Sequence, residues 1–343
     1  MKDIFRVNNF DLIRLIAALQ VAFFHSSHHL KTEYPSFLRD IVTLFPGVPI
    51  FFFVSGFLIS KSYENNSVIM EYSRNRILRI YPALIVCTFM ALLSVSLTGY
   101  LAQTNATLFQ IMIWIAGQIS FVQFYNPDFM RGFGNGVLNG SLWTITVELQ
   151  FYVLVPVLYW IFSYAKNSKI RQNTTLIILV FLFMSLNIIH HQLHGQYSDK
   201  FLYKLWGVSF FPWFYMFLVG LFFQRNFKWI YRILHGKFFF ILLIYISSAY
   251  FVRSYFGWAI SNKINVLSYF LLATLVFSFS YSVPTLGKFI LRKNDISYGV
   301  YIYHIPIINL FIYYGFVSNM SVQLLALALT TIAASISWMF IER

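Results

Sequence analysis

"LFQIMIWIAGQISFVQFY", residues 108–125, decides how this chain is threaded. The stretch is long enough and apolar enough to cross a bilayer, yet it carries Gln110, Gln118, Gln123 and Gly117. The chain around it is 59% apolar and only 10% charged, where ordinary soluble domains hold roughly 25% charged residues. A transmembrane helix takes about 20 mainly apolar residues. Ten such windows lie near 9–30, 42–60, 80–99, 142–163, 174–191, 207–224, 238–252, 264–282, 297–317 and 320–341. If 108–125 does not cross and the N-terminus is cytoplasmic, the 25 Lys and Arg divide 18 inside to 7 outside; if it crosses, they divide 12 to 13. Inner loops are the richer in Lys and Arg, so the segment reads as re-entrant or interfacial, which protein-buried backbone allows. The expected fold is all-α: a polytopic membrane bundle of about ten transmembrane helices plus that segment, both termini cytoplasmic, in a single domain over 1–343. The last window runs straight into "FIER", so no soluble C-terminal domain is expected, and Asp11 and Arg14 inside the first apolar stretch argue against a cleavable signal.

The net charge of +14 then falls mostly on one membrane face, beside anionic headgroups and anionic cytosolic ligands. Dispersed over short loops, it does not form the basic stripe of a nucleic-acid binder. The single cysteine, Cys87, lies inside the third window, so no intrachain disulfide forms.

An ionisable side chain at mid-bilayer costs at least about 2.5–3.5 kcal/mol, which makes Asp11, Arg14, His25, Glu148 and His304 informative. In "FDLIRLIAALQVAFFHSSHH", residues 10–29, Arg14 and His25 are eleven residues apart. A helix brings them within about 20° of one face, roughly 16 Å apart along the axis. Asp11 can pair with Arg14 across one turn. The plainer alternatives are an arginine snorkelling to the headgroups and a histidine satisfied in the core. His25 and His29 have the spacing of a helical metal pair, but no third ligand accompanies them, so no metal is expected. His190, His191 and His194 read as solvated caps at the outer end of the fifth window.

"NGSLWTITVELQFYVLVP", residues 139–156, leads through Ser141 and Trp143 to Glu148, with Pro156 able to kink the span. Glu148 could orient a histidine for acid–base work, or form a structural ion pair. "EYSRNRILRIYP", residues 71–82, reads as a cytoplasmic loop in which Arg74, Arg76 and Arg79 suit a phosphate ligand or simply anchor the span. In "GVPIFFFVSGFLISKSY", residues 47–63, Ser55 and Gly56 mark a place where a ligand or another backbone comes close, and Lys61 a cytoplasmic exit. No Walker loop, GxGxxG, HExxH or GxSxG occurs, which moves ATP-driven pumping, dinucleotide chemistry, zincin proteolysis and serine hydrolysis out of the leading options.

Taken in order, "FDLIRLIAALQVAFFH", "PGVPIFFFVSGFLIS", "YSRNRILRIYPALI", "NGSLWTITVELQFYVLVPVL" and "ISYGVYIYHIPI" resemble the membrane acyltransferase-3 family over nearly the whole chain. The resemblance implies a bacterial inner-membrane protein that O-acylates, usually O-acetylates, cell-envelope glycans such as O-antigen or its lipid-linked precursor, with no bound cofactor. It places the family's Arg and His pair on Arg14 and His25 and its acyl-CoA arginines on Arg76 and Arg79, with Arg74 beside them. The supporting positions fall on Ser55, Gly56, Ser141, Trp143 and His304, and the acid on Glu148; Asp11 joins them as the residue that can pair with Arg14. Many relatives continue into a soluble esterase-like domain, which is not expected here.

The expected mechanism holds acetyl-CoA phosphates at Arg74, Arg76 and Arg79. His25, oriented by Glu148, then acts as base toward a sugar hydroxyl or briefly accepts the acetyl group. The rival is a transporter or flippase of a lipid-linked saccharide in which Arg14, His25 and Glu148 relay protons; no internal repeat of the kind such carriers show is evident.

Overall fold

The computed structural model describes residues 5, 7–164, 168–257, 262, 264–292 and 294–343. Lys2, Arg6, Lys166, Lys263 and Lys293, which enter the charge count, lie outside the described residues. The main helices are α1 (Phe10–His29), α2 (Gly47–Asn65), α3 (Ile69–Leu97), α4 (Leu108–Gln118), α5 (Trp143–Ser163), α6 (Lys169–Tyr197), α7 (Phe214–Arg225), α8 (Phe238–Phe256), α9 (Val266–Ser282), α10 (Ser297–Tyr313) and α11 (Met320–Ser337).

Among the described residues seven helical stretches are long and apolar enough to cross a membrane: Phe10–His29, Ser36–Asn65, Ile69–Leu97, Gly140–Ser163, Lys169–Tyr197, Phe238–Phe256 and Met320–Glu342. The windows at 207–224, 264–282 and 297–317 instead give helices of 12, 17 and 17 residues. Protein surrounds these three on most sides, and a helix that is apolar all round and buried in protein need not match the bilayer thickness.

The segment at 108–125 forms α4 and then irregular chain. Eleven residues span only about 17 Å, little more than half of the roughly 30 Å hydrocarbon core. Its polar residues have structural uses. Gln110 closes a capping box with Thr107, Gln118 donates to the carbonyl of Tyr125 at 2.9 Å, and Gln123 accepts from Thr146 Oγ1 at 2.7 Å. The stretch 71–82 is helical rather than a loop, forming the first turns of α3. Helix α2 runs beyond Lys61 to Asn65, with Pro49 tolerated in its first turn.

Two compact units emerge, each assembled from three stretches of chain. The first takes residues 1–17, 43–74 and 147–293. Its centre is α7 laid against α2 with two reciprocal notches: a Cβ at Gly56 would overlap the carbonyl oxygen of Phe217, and one at Gly220 that of Phe53. Gly56 therefore serves backbone-to-backbone packing. Around the notch Phe57 stacks on Phe5 at 5.2 Å and meets Phe10 at 4.9 Å and Phe277 at 5.9 Å, contacts of the offset and edge kind that aromatic pairs favour. Pro156 denies the carbonyl of Tyr152 its helical donor, and Tyr72 Oη supplies one at 3.1 Å.

The second unit takes residues 18–42, 75–146 and 294–343. Its axis is α10, against which α11 closes through Gly299, where a Cβ would come within 2.8 Å of Ala334 Cα. The irregular chain of 126–142 is held by asparagines. Asn309 Nδ2 donates to the carbonyls of Val137 (2.9 Å) and Leu138 (3.1 Å), its Oδ1 accepts from the amide of Asn135 (2.8 Å), and Asn126 Nδ2 reaches the carbonyl of Gly136 (2.9 Å). Non-helical backbone survives within a membrane body only when its polar groups are satisfied in this way.

Candidate active site

Pro306 lies inside α10 and leaves the carbonyl of Ile302 without its usual amide donor. Asn139 Nδ2 donates to that oxygen at 2.8 Å and Cys87 Sγ approaches it at 3.3 Å. Ser141 Oγ donates to Asn139 Oδ1 at 2.8 Å, which fixes which end of the amide faces Ile302. Thr144 Oγ1 and Tyr301 Oη hydrogen-bond at 2.7 Å. These bonds pin the helix turn that presents His304. Trp143 lines a cavity of about 80 Å³ together with Trp114, Gln123 and Asn139.

His304 is fully buried. Its Nδ1 lies 3.3 Å from the carbonyl of Val300, one turn back, and its Nε2 lies 2.9 Å from Nδ1 of His25. A carbonyl can only accept, so the His304 proton sits on Nδ1 and its Nε2 presents a lone pair. His25 must then donate from Nδ1, and its own Nε2 is left unprotonated and free to accept. A neutral histidine held in one tautomer by a buried partner is the arrangement of a general base and its orienting group. The two rings are near-parallel, with centroids 5.2 Å apart.

The end of α1 is fixed so that this bond can form. Gln323 Nε2 on α11 donates to Ser26 Oγ (3.2 Å) and Ser27 Oγ (2.7 Å), Leu30 packs with Ile305, Ile308 and Ala326, and the amide of Ser318 donates to the carbonyl of Leu30. Asn135 Nδ2 and His29 Nε2 meet at 3.3 Å.

His304 is thus a hydrogen-bond partner of His25 that the sequence did not suggest. Glu148 lies in the first unit, and its Oε1 accepts from Ser55 Oγ at 3.1 Å and from Tyr152 Oη at 2.7 Å. Ser55 is accordingly a carboxylate donor. Arg14 lies 3.8 Å from Asp11, one turn away on α1, the same continuous helix that carries His25. Of the three arginines on α3, Arg79 pairs with the largely buried Asp295 at 2.5 Å, and Asp295 in turn accepts from the amide and hydroxyl of Ser297 at the start of α10. Arg74 is exposed and Arg76 half-buried. His190 is not the solvated cap expected: it is buried, stacked at 4.5 Å on Tyr203 of the short helix Phe201–Gly207, because α6 continues past the expected end of the span to Tyr197.

Sequence reasoning had no partner for His304 and assigned nothing to Asn309 or Asp295. Pro306, two residues after a histidine in an apolar helix, was the available signal, since the carbonyl it frees must find a donor.

Comparison with known proteins bears on this arrangement. Nodulation protein 10 of Rhizobium leguminosarum bv. viciae is 32% identical to this chain, the alignment covering 98% of the chain and 92% of the relative. An O-acetyl transferase of Shigella phage Sf6 is 26% identical over 98% of the chain and 95% of its own length. The O-acetyltransferase OatA of Staphylococcus aureus is 26% identical over 45% of the chain, a match to 26% of that larger protein. No solved structure matches the chain. The acyltransferase domain model of the acyltransferase-3 family matches residues 7–341. The chain therefore belongs to the acyltransferase-3 family and is a multi-pass membrane O-acyltransferase.

Proposed function

We propose that this protein transfers an acetyl group from cytoplasmic acetyl-CoA to a hydroxyl of a bacterial cell-envelope glycan, such as O-antigen or its lipid-linked precursor. It does so from the inner membrane, in a ten-span arrangement with both termini cytoplasmic. The observation that carries the reading is the hydrogen bond from His25 Nδ1 to His304 Nε2. The full-length similarity to a phage O-acetyl transferase supports the acetyl group.

The unprotonated Nε2 of His25 removes the proton from the acceptor hydroxyl as that oxygen attacks the thioester carbonyl. The new C–O bond forms, the C–S bond breaks, and the proton held on His25 passes to the departing thiolate. His304 keeps Nδ1 of His25 protonated throughout, so that Nε2 is always the nitrogen facing the hydroxyl. Arg14, about 16 Å along the same helix, draws the anionic donor toward the histidines, and Glu148 holds the first unit's polar interior through Ser55 and Tyr152. The transport reading of the same charges has no observation in its favour.

Purified protein supplied with labelled acetyl-CoA and an envelope glycan should release CoA and label the glycan, and NMR of the glycan from cells with and without the gene should show one hydroxyl-bearing carbon shifted by an ester. Unlabelled glycan in both experiments overturns the proposal.

A further inference from the structure

A cavity of about 1040 Å³ in the first unit opens where the last turns of α2 and α7 meet the first turn of α6. Among the described residues four cations line it, Lys61, Lys169, Arg225 and Lys228, against one carboxylate, Glu64. Glu64 is already occupied: Lys61 Nζ lies 3.3 Å from it, Arg225 3.7 Å, and Gln224 and Tyr159 donate to it at 2.8 and 3.1 Å. The local field is therefore positive, with Lys169 and Lys228 exposed to solvent on the wall.

The lining is richer than a basic rim. Gln224 is almost fully buried, and its Oε1 has no hydrogen-bond partner, nor has the buried Nε of Arg225. Both atoms are enclosed by protein, so what the cavity itself offers a ligand is its cations and the amide groups of its wall. Asn8, Asn65 and Asn226 add further amide groups, and Trp229 is an exposed aromatic on the wall. Phosphates suit the cations, a purine's amine and ring nitrogens suit amides, and its flat face suits an indole, on which bases stack. A lipid phosphate would use the cations alone.

We propose that this cavity binds the adenosine 3′,5′-bisphosphate and pyrophosphate end of the acyl-CoA donor, with Lys61, Lys169 and Lys228 on the phosphates and Trp229 against the adenine. The inference rests on the acyl-CoA reading above. It moves the principal donor contacts away from Arg74, Arg76 and Arg79, none of which lines the cavity. The cavity lies beside Lys61, Lys169 and Arg225, all in segments that the proposed topology makes cytoplasmic, where the donor is found.

The test is binding to the full chain in detergent or nanodiscs, with coenzyme A and adenosine 3′,5′-bisphosphate as probes. Coenzyme A should quench tryptophan fluorescence in the wild type, and W229F should lose most of the quench. K169E/K228E replaces two exposed side chains and should leave the thermal unfolding midpoint in place, while raising the Kd for both probes at least tenfold and the donor KM more than it lowers kcat. Tight binding by the wild type that K169E/K228E and W229F leave unchanged overturns the cavity alone. Failure of the wild type to bind coenzyme A overturns the cavity and the donor assignment together. A cavity that retains phosphatidylglycerol or cardiolipin by native mass spectrometry, lost in K169E/K228E, while coenzyme A binding is unaffected, overturns it in favour of a lipid phosphate.

Discussion

Asn139 and Ile302 are 163 residues apart, and the side-chain amide of the first takes the hydrogen-bonding place that a proline denies the second. Asn139→Ala leaves the Ile302 carbonyl short of its principal donor and should destabilise the protein by about 1–3 kcal/mol. Pro306→Ala restores a backbone N–H one turn on. In that background Asn139→Ala should cost at most half as much, as thermal unfolding of the four proteins of the cycle would reveal. Additive losses would mean that the amide acts on something other than the vacated bond.

In the proposed mechanism His304 acts through its lone pair. His304→Ala removes the acceptor that keeps His25 in the productive tautomer and should lower kcat by about 10²- to 10⁴-fold. His304→Gln can offer a carbonyl oxygen to the same N–H and should recover at least tenfold over the alanine variant. Equal activity of the two would show that His304 only fills space.

Arg79 and Asp295 separate a structural from a ligand-binding arginine. With Asp295 largely buried, Arg79→Ala leaves its carboxylate to the Ser297 donors without the neighbouring cation and should cost about 1–3 kcal/mol. Asp295→Asn in the same chain should restore at least half of that. If Arg79 instead bound the donor, its loss would raise the donor KM while leaving the unfolding midpoint where it was.

The two notches between α2 and α7 should not tolerate even one methyl group. Gly56→Ala and Gly220→Ala each drive a Cβ into facing backbone and should destabilise by about 1–3 kcal/mol or more. Gly195, inside α6 with nothing within reach of an added Cβ, is the contrast: alanine there should stabilise by about 0.5–1 kcal/mol. Chemical denaturation in one detergent ranks the three.

The membrane class, the helical nature of nearly every window and the family were legible in the sequence, because apolar length and charge content act locally. The glutamines of 108–125 stood out in the sequence, though not that each would be consumed by a cap, a turn and a threonine. Partnerships were the illegible part. Nothing near His25 names His304, 279 residues away, and nothing near Glu148 names Ser55, the serine 93 residues before it that donates to its carboxylate. The span lengths of α7 and α10 were likewise hidden, since being enclosed by protein relaxes a requirement that the bilayer would otherwise impose.

The glycine notches also set a timetable. Gly56 is made about 160 residues before Phe217, the backbone that fills its notch. When α2 leaves the ribosome, its closest-fitting neighbour has yet to be synthesised, and the notch must wait in lipid or against an insertion factor until α7 is delivered. A ribosome stalled anywhere between the two strands a half-built pair, because the notch at Gly56 is filled only by backbone made in the second half of translation.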